Sequence, residues 1–302
     1  MKLRNILITM LAAGFIFASA DRVGVVGYTA GDYTDMMVYP HKAAGMNVAH
    51  TMGDDFTAVW TDGGTTWGFS GGDTDELVNM RWSNGTYGVT GGLNMPAGGD
   101  TSFDLGFGMN LMGWDVGVAM STVENSEMTV NARGALDFWA FDTMTFAFGT
   151  GGNDNNLAVE DAFTTIDLGM YGVHDWGTAT GMFGMGFMST DRTGGPYTAW
   201  NGWTKLGDGA TLITTDFSVE STLTDWCDLR IGYSKTFNMG PEDGEPESYD
   251  AYNAGLGFNY GSVQLDMTIA QNTLSSMVSN PINYLYGRND MLAASWTLSY
   301  TW

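Results

Sequence analysis

Apolar and polar residues alternate with a period of two along most of this chain, and that pattern restricts the fold more than any other feature. In residues 291–302, Leu292, Ala294, Trp296, Leu298, Tyr300 and Trp302 share one face of an extended strand. Ala293, Ser295, Thr297, Ser299 and Thr301 share the other. Phe103, Leu105, Phe107, Met109 and Leu111 oppose Asp104, Gly106, Gly108 and Asn110. Ile213, Thr215, Phe217, Val219 and Leu223 oppose Thr214, Asp216, Ser218, Glu220 and Thr222. Val263, Leu265, Met267 and Ile269 oppose Gln264, Asp266 and Thr268. A soluble sandwich also alternates, but its outer face usually carries Lys and Glu. These polar faces are mostly Gly, Ser, Thr, Asn and Asp, which suits the inside of a barrel whose apolar faces meet lipid.

The spacing predicts strands near 46–53, 56–61, 65–71, 77–83, 86–95, 103–112, 113–122, 127–138, 142–151, 163–174, 177–190, 210–222, 226–239, 250–260, 262–271 and 291–302. The first four are shorter than the 9–11 residues a spanning strand takes, so two of them merging or lying outside the bilayer would reduce sixteen strands to fourteen. Tight connections fall at Asp62-Gly63-Gly64, Asn84-Gly85, Ala140-Phe141, Asp175-Trp176, Thr224-Asp225 and Gly261-Ser262. Longer ones, near 72–76, 96–102, 152–162, 191–209, 240–249 and 272–290, alternate with them. Short turns at one end and long loops at the other are the connectivity of a transmembrane up-and-down barrel. The expected fold class is therefore all-β, a transmembrane antiparallel β-barrel of 14–16 strands over residues 46–302. Trp60, Trp67, Trp82, Trp114, Trp139, Trp176 and Trp226 gather near strand ends, where aromatic girdles sit at the lipid–water boundary.

The first twenty residues read as an export signal: Lys2 and Arg4, an apolar run from Ile6 to Phe17, and the small-residue site Ala18-Ser19-Ala20. Residues 21–45 are expected to be a periplasmic lead-in or a lumen plug. Removing the signal takes Lys2 and Arg4 from 11 basic residues, leaving 9 against 34 acids, a net charge of −25. Such acidity excludes nucleic acid as a partner. The lone Cys227 excludes an internal disulfide framework.

The export signal, alternating strands, loop parity and terminal Ser-Tyr-Thr-Trp together resemble Gram-negative outer-membrane β-barrel proteins. The resemblance covers nearly all of the mature chain and implies a porin-like protein of the outer membrane. Its partners would be lipid and lipopolysaccharide, the barrel-assembly machinery reading Tyr300 and Trp302, and small polar solutes or cations. Tyr39-Pro40 and Ala43-Ala44 resemble the Asn-Pro-Ala segment of fatty-acid-transporter-like barrels. Tyr39 stands where that family has Asn, and that family's long plug-forming N-terminal segment is missing.

On the polar faces, Arg81, Asp104, Asp115, Arg133, Asp137, Asp167, Asp216, Glu220, Asp228, Arg230 and Asp266 are expected to line the pore. Centring the 224–225 turn on Thr224 sets Glu220 opposite Asp228, with Arg230 diagonal to both. Carboxylates at a constriction favour cations, whereas a paired interior network would fill the barrel and conduct poorly. No cofactor is expected. The acidic loops Asp73-Thr74-Asp75-Glu76, Asn153-Asp154-Asn155-Asn156 and Glu242-Asp243-Gly244-Glu245-Pro246-Glu247 lack the spacing of a calcium loop, although divalent cations can bridge them to lipid. Arg81-Trp82-Ser83-Asn84-Gly85 resembles the His-x-Ser-Asn-Gly segment of barrel phospholipases, with Arg81 in the histidine's place, so no enzyme is expected. The alternatives to a pore are a non-conducting surface or structural barrel and a transporter of hydrophobic substrates.

If the last strand carries the assembly signal, deleting residues 300–302 lowers membrane insertion in cells far more than it alters refolding in detergent. Equal loss in both assays would contradict that role.

Overall fold

The computed structural model describes residues 20–28, 33–52, 55–72, 76–95, 100–123, 126–151, 163–191, 195–198, 204–207, 210–239, 247–269 and 293–302. A helix, α1 (Ala20–Val26), a helical turn, α2 (Asp35–Val38), and a 3-10 turn (Pro40–Ala43) precede the strands. The strands are β1 (Val48–Met52), β2 (Asp55–Asp62), β3 (Thr65–Gly71), β4 (Glu76–Ser83), β5 (Tyr87–Asn94), β6 (Ser102–Leu111), β7 (Trp114–Ser121), β8 (Met128–Phe138) and β9 (Phe141–Gly151). They continue as β10 (Phe163–Asp175), β11 (Ala179–Thr190), β12 (Gly195–Thr198), β13 (Thr204–Gly207), β14 (Ala210–Thr224), β15 (Cys227–Asn238), β16 (Glu247–Tyr260), β17 (Val263–Ile269) and β18 (Ala293–Thr301).

Sixteen of these strands close into one antiparallel barrel, each beside its chain neighbour, with β18 returning to pair with β1. Every segment that alternation marks as a strand is a barrel strand, and the first four remain separate rather than merging. The pair β12–β13 is a separate small hairpin inside the 191–209 connection, which the sequence reads as loop.

Burial in the barrel is inverted relative to a soluble protein. On β14 the polar Thr214, Asp216 and Ser218 are 1%, 5% and 2% exposed, while the intervening Ile213 and Phe217 are 37% and 47% exposed. On β18 Thr297 and Ser299 are buried, while Trp296, Leu298 and Tyr300 lie open. An apolar surface of this extent would be costly in water at roughly 25 cal/mol per Å². It becomes the stable surface when hydrocarbon is the solvent, and closure leaves no unpaired strand edge in that solvent. The fold is a membrane β-barrel.

The short turns use left-handed backbone, mostly at glycine, with Met112 and Trp139 as the two non-glycine exceptions among the described residues. Gly63-Gly64 and Met112-Gly113 form two-residue loops with φ of 57° and 84°, and 53° and 88°, the twist that matches paired strands. Gly85, Trp139, Gly177 and Gly261 supply positive φ at four other short turns. All of these turns lie at one end of the barrel.

Phe217→Arg puts a charge on the exposed apolar face and is expected to destabilise the folded protein in lipid vesicles by about 2–4 kcal/mol in denaturant titration, if the site lies near the bilayer midplane. A change within about 0.5 kcal/mol, as at an ordinary water-facing position, would contradict lipid contact.

Candidate functional site: the barrel interior and the N-terminal segment

The N-terminal segment runs inside the barrel, from Thr268 and Ser295 at the start of α1, past Ser218 midway along β14, to the short-turn end, where Ala44 lies against Gly85. Helix α1 packs against β14 to β18. Asp21 is buried and accepts hydrogen bonds from the hydroxyls of Thr297 (2.5 Å), Thr268 (3.2 Å) and Ser295. Arg22 grips Glu220 through Nε (2.8 Å) and a second nitrogen (3.2 Å), and its guanidinium lies over the Tyr28 ring. Glu220 also accepts from Arg230 Nε at 2.5 Å. Arg230 in turn donates to Asp266, which accepts from Gln264 at 2.8 Å. The result is a chain of alternating charge, Arg22–Glu220–Arg230–Asp266, shared between the segment and the wall.

A second anchor lies across the lumen. Arg133 on β8 makes a two-pronged pair with Asp35, both bonds 2.7 Å, and reaches Asp115 at 3.2 Å. Asp115 also meets His41 Nε2 at 3.0 Å and Lys42 Nζ at 2.8 Å. Asp35 is 1% exposed, and a carboxylate buried to that degree is costly without such a partner. Arg133 stands over the Tyr39 ring, and burial pushes the Tyr39 phenol well above its ordinary pKa. Ser83 donates to the His41 carbonyl at 2.9 Å.

The segment also rests on apolar patches. Val26 and Tyr28 pack with Tyr171 and Met182. Tyr33, Met36 and Ala43 pack with Val48 and Val59. Tyr33 also stacks on His50 with ring centres 4.5 Å apart.

Glycines in the wall make room for this backbone. Gly88, Gly108 and Gly117 stand in register across β5, β6 and β7. A Cβ at Gly88 would overlap the Pro40–His41 peptide, one at Gly108 would press on the Pro40 ring, and one at Gly117 would overlap the Val38 carbonyl. Gly232 plays the same part for the Val25 carbonyl on the opposite wall.

Ten of the eleven residues expected to line the pore are at least partly buried in the barrel. Arg81, Asp115, Arg133, Asp167, Asp216, Arg230 and Asp266 are buried there, and Asp104, Glu220 and Asp228 are partly buried. Asp137 is the exception. It falls where the β8–β9 register shifts between Ala135 and Phe138, and it is exposed. The charge pairing on β14–β15 also differs from expectation. Glu220 lies opposite Arg230, and Asp228 opposite Thr222, because the turn is centred on Asp225-Trp226 rather than Thr224 and a bulge between Thr222 and Thr224 then moves the register back by one residue. Asp228 is held by Thr222 (2.9 Å) and Asn259 (2.8 Å), and Asp104 by Asn94 (2.6 Å). Asp216 accepts from Ser234 at 2.5 Å.

Sequence patterning missed Asp21, Arg22, Asp35, His41 and Lys42, because the segment has no strand periodicity that would assign its charges to a face. The signal available was the aligned glycines of β5–β7. Tyr300 and Trp302 lie on the outside with rings stacked at 5.9 Å. Among the described residues no group of three or more His, Cys, Asp or Glu is placed to hold a metal. The acidic runs 73–75, 153–156 and 242–246, and the export signal up to residue 19, lie outside the described residues.

These features define a membrane β-barrel that carries its own N-terminal segment inside. The sequence matches no protein-family model, and no curated protein is similar to it.

Replacing Arg133 with Met strands the Asp35 carboxylate, a loss of about 3–5 kcal/mol if the segment stays seated. The segment is therefore expected to leave its seat, and trypsin should cut after Lys42 in folded R133M but not in the parent protein. Adding Asp35→Leu should restore resistance. Equal cleavage in all three proteins would contradict the anchor.

Proposed function

We propose that this protein is an outer-membrane pore of a Gram-negative cell, passing small polar solutes by diffusion with a mild preference for cations. A barrel of sixteen strands has an interior wide enough for an aqueous channel, and the inward faces carry polar groups. The observation that carries the cation preference is the unequal pairing of the acids. Glu220, Asp266, Asp115 and Asp35 are matched by arginine or lysine. Asp104 and Asp228 are instead held by amides and a hydroxyl, so those sites keep a net negative charge. The N-terminal segment takes up part of the interior, which puts the expected conductance below that of an unobstructed barrel of this size. The inward faces give little support to a transporter of hydrophobic substrates.

A second reading is a non-conducting structural barrel. It is favoured by the reach of the segment, which touches the wall from β14 to β18 and again at β4 to β8. The export signal and the terminal aromatic strand support outer-membrane placement and passage through the barrel-assembly machinery under either reading. We assign no catalytic role.

Single-channel recording separates the two. Purified protein in planar bilayers should give small ohmic steps and, under a salt gradient, cation-favouring reversal potentials. The double variant Asp104→Asn/Asp228→Asn should move the reversal potential toward zero. Bilayers that stay closed at every voltage would overturn the pore and favour the structural barrel.

A further inference from the structure

The barrel wall is uneven in height. Strands β1 to β5, which are neighbours in the barrel, have 5, 8, 7, 8 and 8 residues. On the other side β10, β11, β14, β15 and β16 have 13, 12, 15, 12 and 14. At about 3.3 Å per residue and a tilt near 40°, eight residues rise roughly 20 Å and twelve to fifteen roughly 30–38 Å. An outer-membrane barrel presents an apolar band about 25 Å tall, so the tall side spans it and the low side falls short.

Side chains mark the same difference. On β14 the outward apolar residues run from Ile213 to Leu223. On β2 they run only from Phe56 to Trp60, closed off by Asp55 and Asp62. Trp60, Trp67 and Trp82 stand in register across β2, β3 and β4, just above the short turns. Trp60 and Trp67 are exposed, as rings at a lipid–water boundary are. The outward residues of β2 to β4 between these limits are Phe56, Ala58, Phe69, Val78 and Met80, with no charge among them. Such a face offers lipid chains a surface and offers another protein no polar contact to fix its register.

We propose that the β1–β5 face binds a locally thinned bilayer, drawing the headgroups of the long-loop leaflet down to the level of Phe56. A hydrophobic wall shorter than the hydrocarbon around it is accommodated by thinning at a cost of fractions of a kcal/mol per Å, whereas the Asp55 carboxylate at the long-loop end of β2 would otherwise sit in hydrocarbon. Thinning confined to one side makes the protein a site of low membrane thickness with a fixed direction. The inference concerns the outer wall and does not depend on what the lumen conducts.

Nitroxide labels test it in the full chain with Cys227→Ser. Phe56→Cys and Phe217→Cys lie six and seven residues above the short-turn ends of β2 (Asp62) and β14 (Thr224), on the low and tall walls. Reconstituted in bilayers of 18-carbon chains, the label at 56 should be several-fold more accessible to a water-soluble nickel relaxant than the label at 217. It should also be less accessible to oxygen. Equal, hydrocarbon-like accessibility at both sites would overturn the proposal. So would a label at 56 shielded from both relaxants together with disulfide-linked dimers of that variant, the result expected if a second copy covers the face.

Discussion

Peptide groups in hydrocarbon have no water to bond, and an unpaired one costs several kcal/mol. The β18–β1 pairing meets that constraint here. Val48 to Met52 pair with Thr301 to Thr297 on one side and with Val59 to Asp55 on the other, so the shortest of the barrel strands closes the whole sheet. Once the sheet is closed, each strand has one face toward lipid and one toward the interior, and the period-two sequence fills both. The same closure encloses a space that the polar faces must share with water or with other parts of the chain.

The N-terminal segment is what this chain puts there, and it is held largely by charge. Carboxylates and guanidinium groups inside a barrel are costly unless paired. The segment supplies Arg22 to Glu220 and Asp35 to Arg133, so wall and segment each satisfy charges that the other would leave stranded. Arg230, 2% exposed and bound to both Glu220 and Asp266, links the first anchor to the wall behind it. Seating also needs space, and the in-register glycines Gly88, Gly108 and Gly117 provide a channel for the backbone from Val38 to His41. Charge fixes where the segment binds, and missing side chains let it approach.

Most of the barrel could be read from the residues because strands in lipid obey local rules. Alternation gave all sixteen strands, and Gly63-Gly64 and Asn84-Gly85 announced their hairpins by the backbone angles they tolerate. Register was less legible. The β14–β15 turn is centred on Asp225-Trp226 rather than Thr224, and one extra residue near Leu223 then sets the register that puts Arg230 rather than Asp228 opposite Glu220. The β8–β9 pair carries a second shift between Ala135 and Phe138. Neither bulge has a distinctive residue type. The placement of residues 21–45 was open between periplasm and lumen, since its contacts lie up to 276 positions away, as between Asp21 and Thr297. Hydrogen bonds at that range leave no periodic trace in a short segment.

Hydrogen–deuterium exchange on the folded protein in lipid vesicles reads the seating of this segment directly. Amides of residues 33–45 should exchange nearly as slowly as those of β6 and β7, because their carbonyls and side chains are enclosed by the wall. Exchange at the rate of a free peptide, with the barrel strands still protected, would contradict a segment seated inside the barrel.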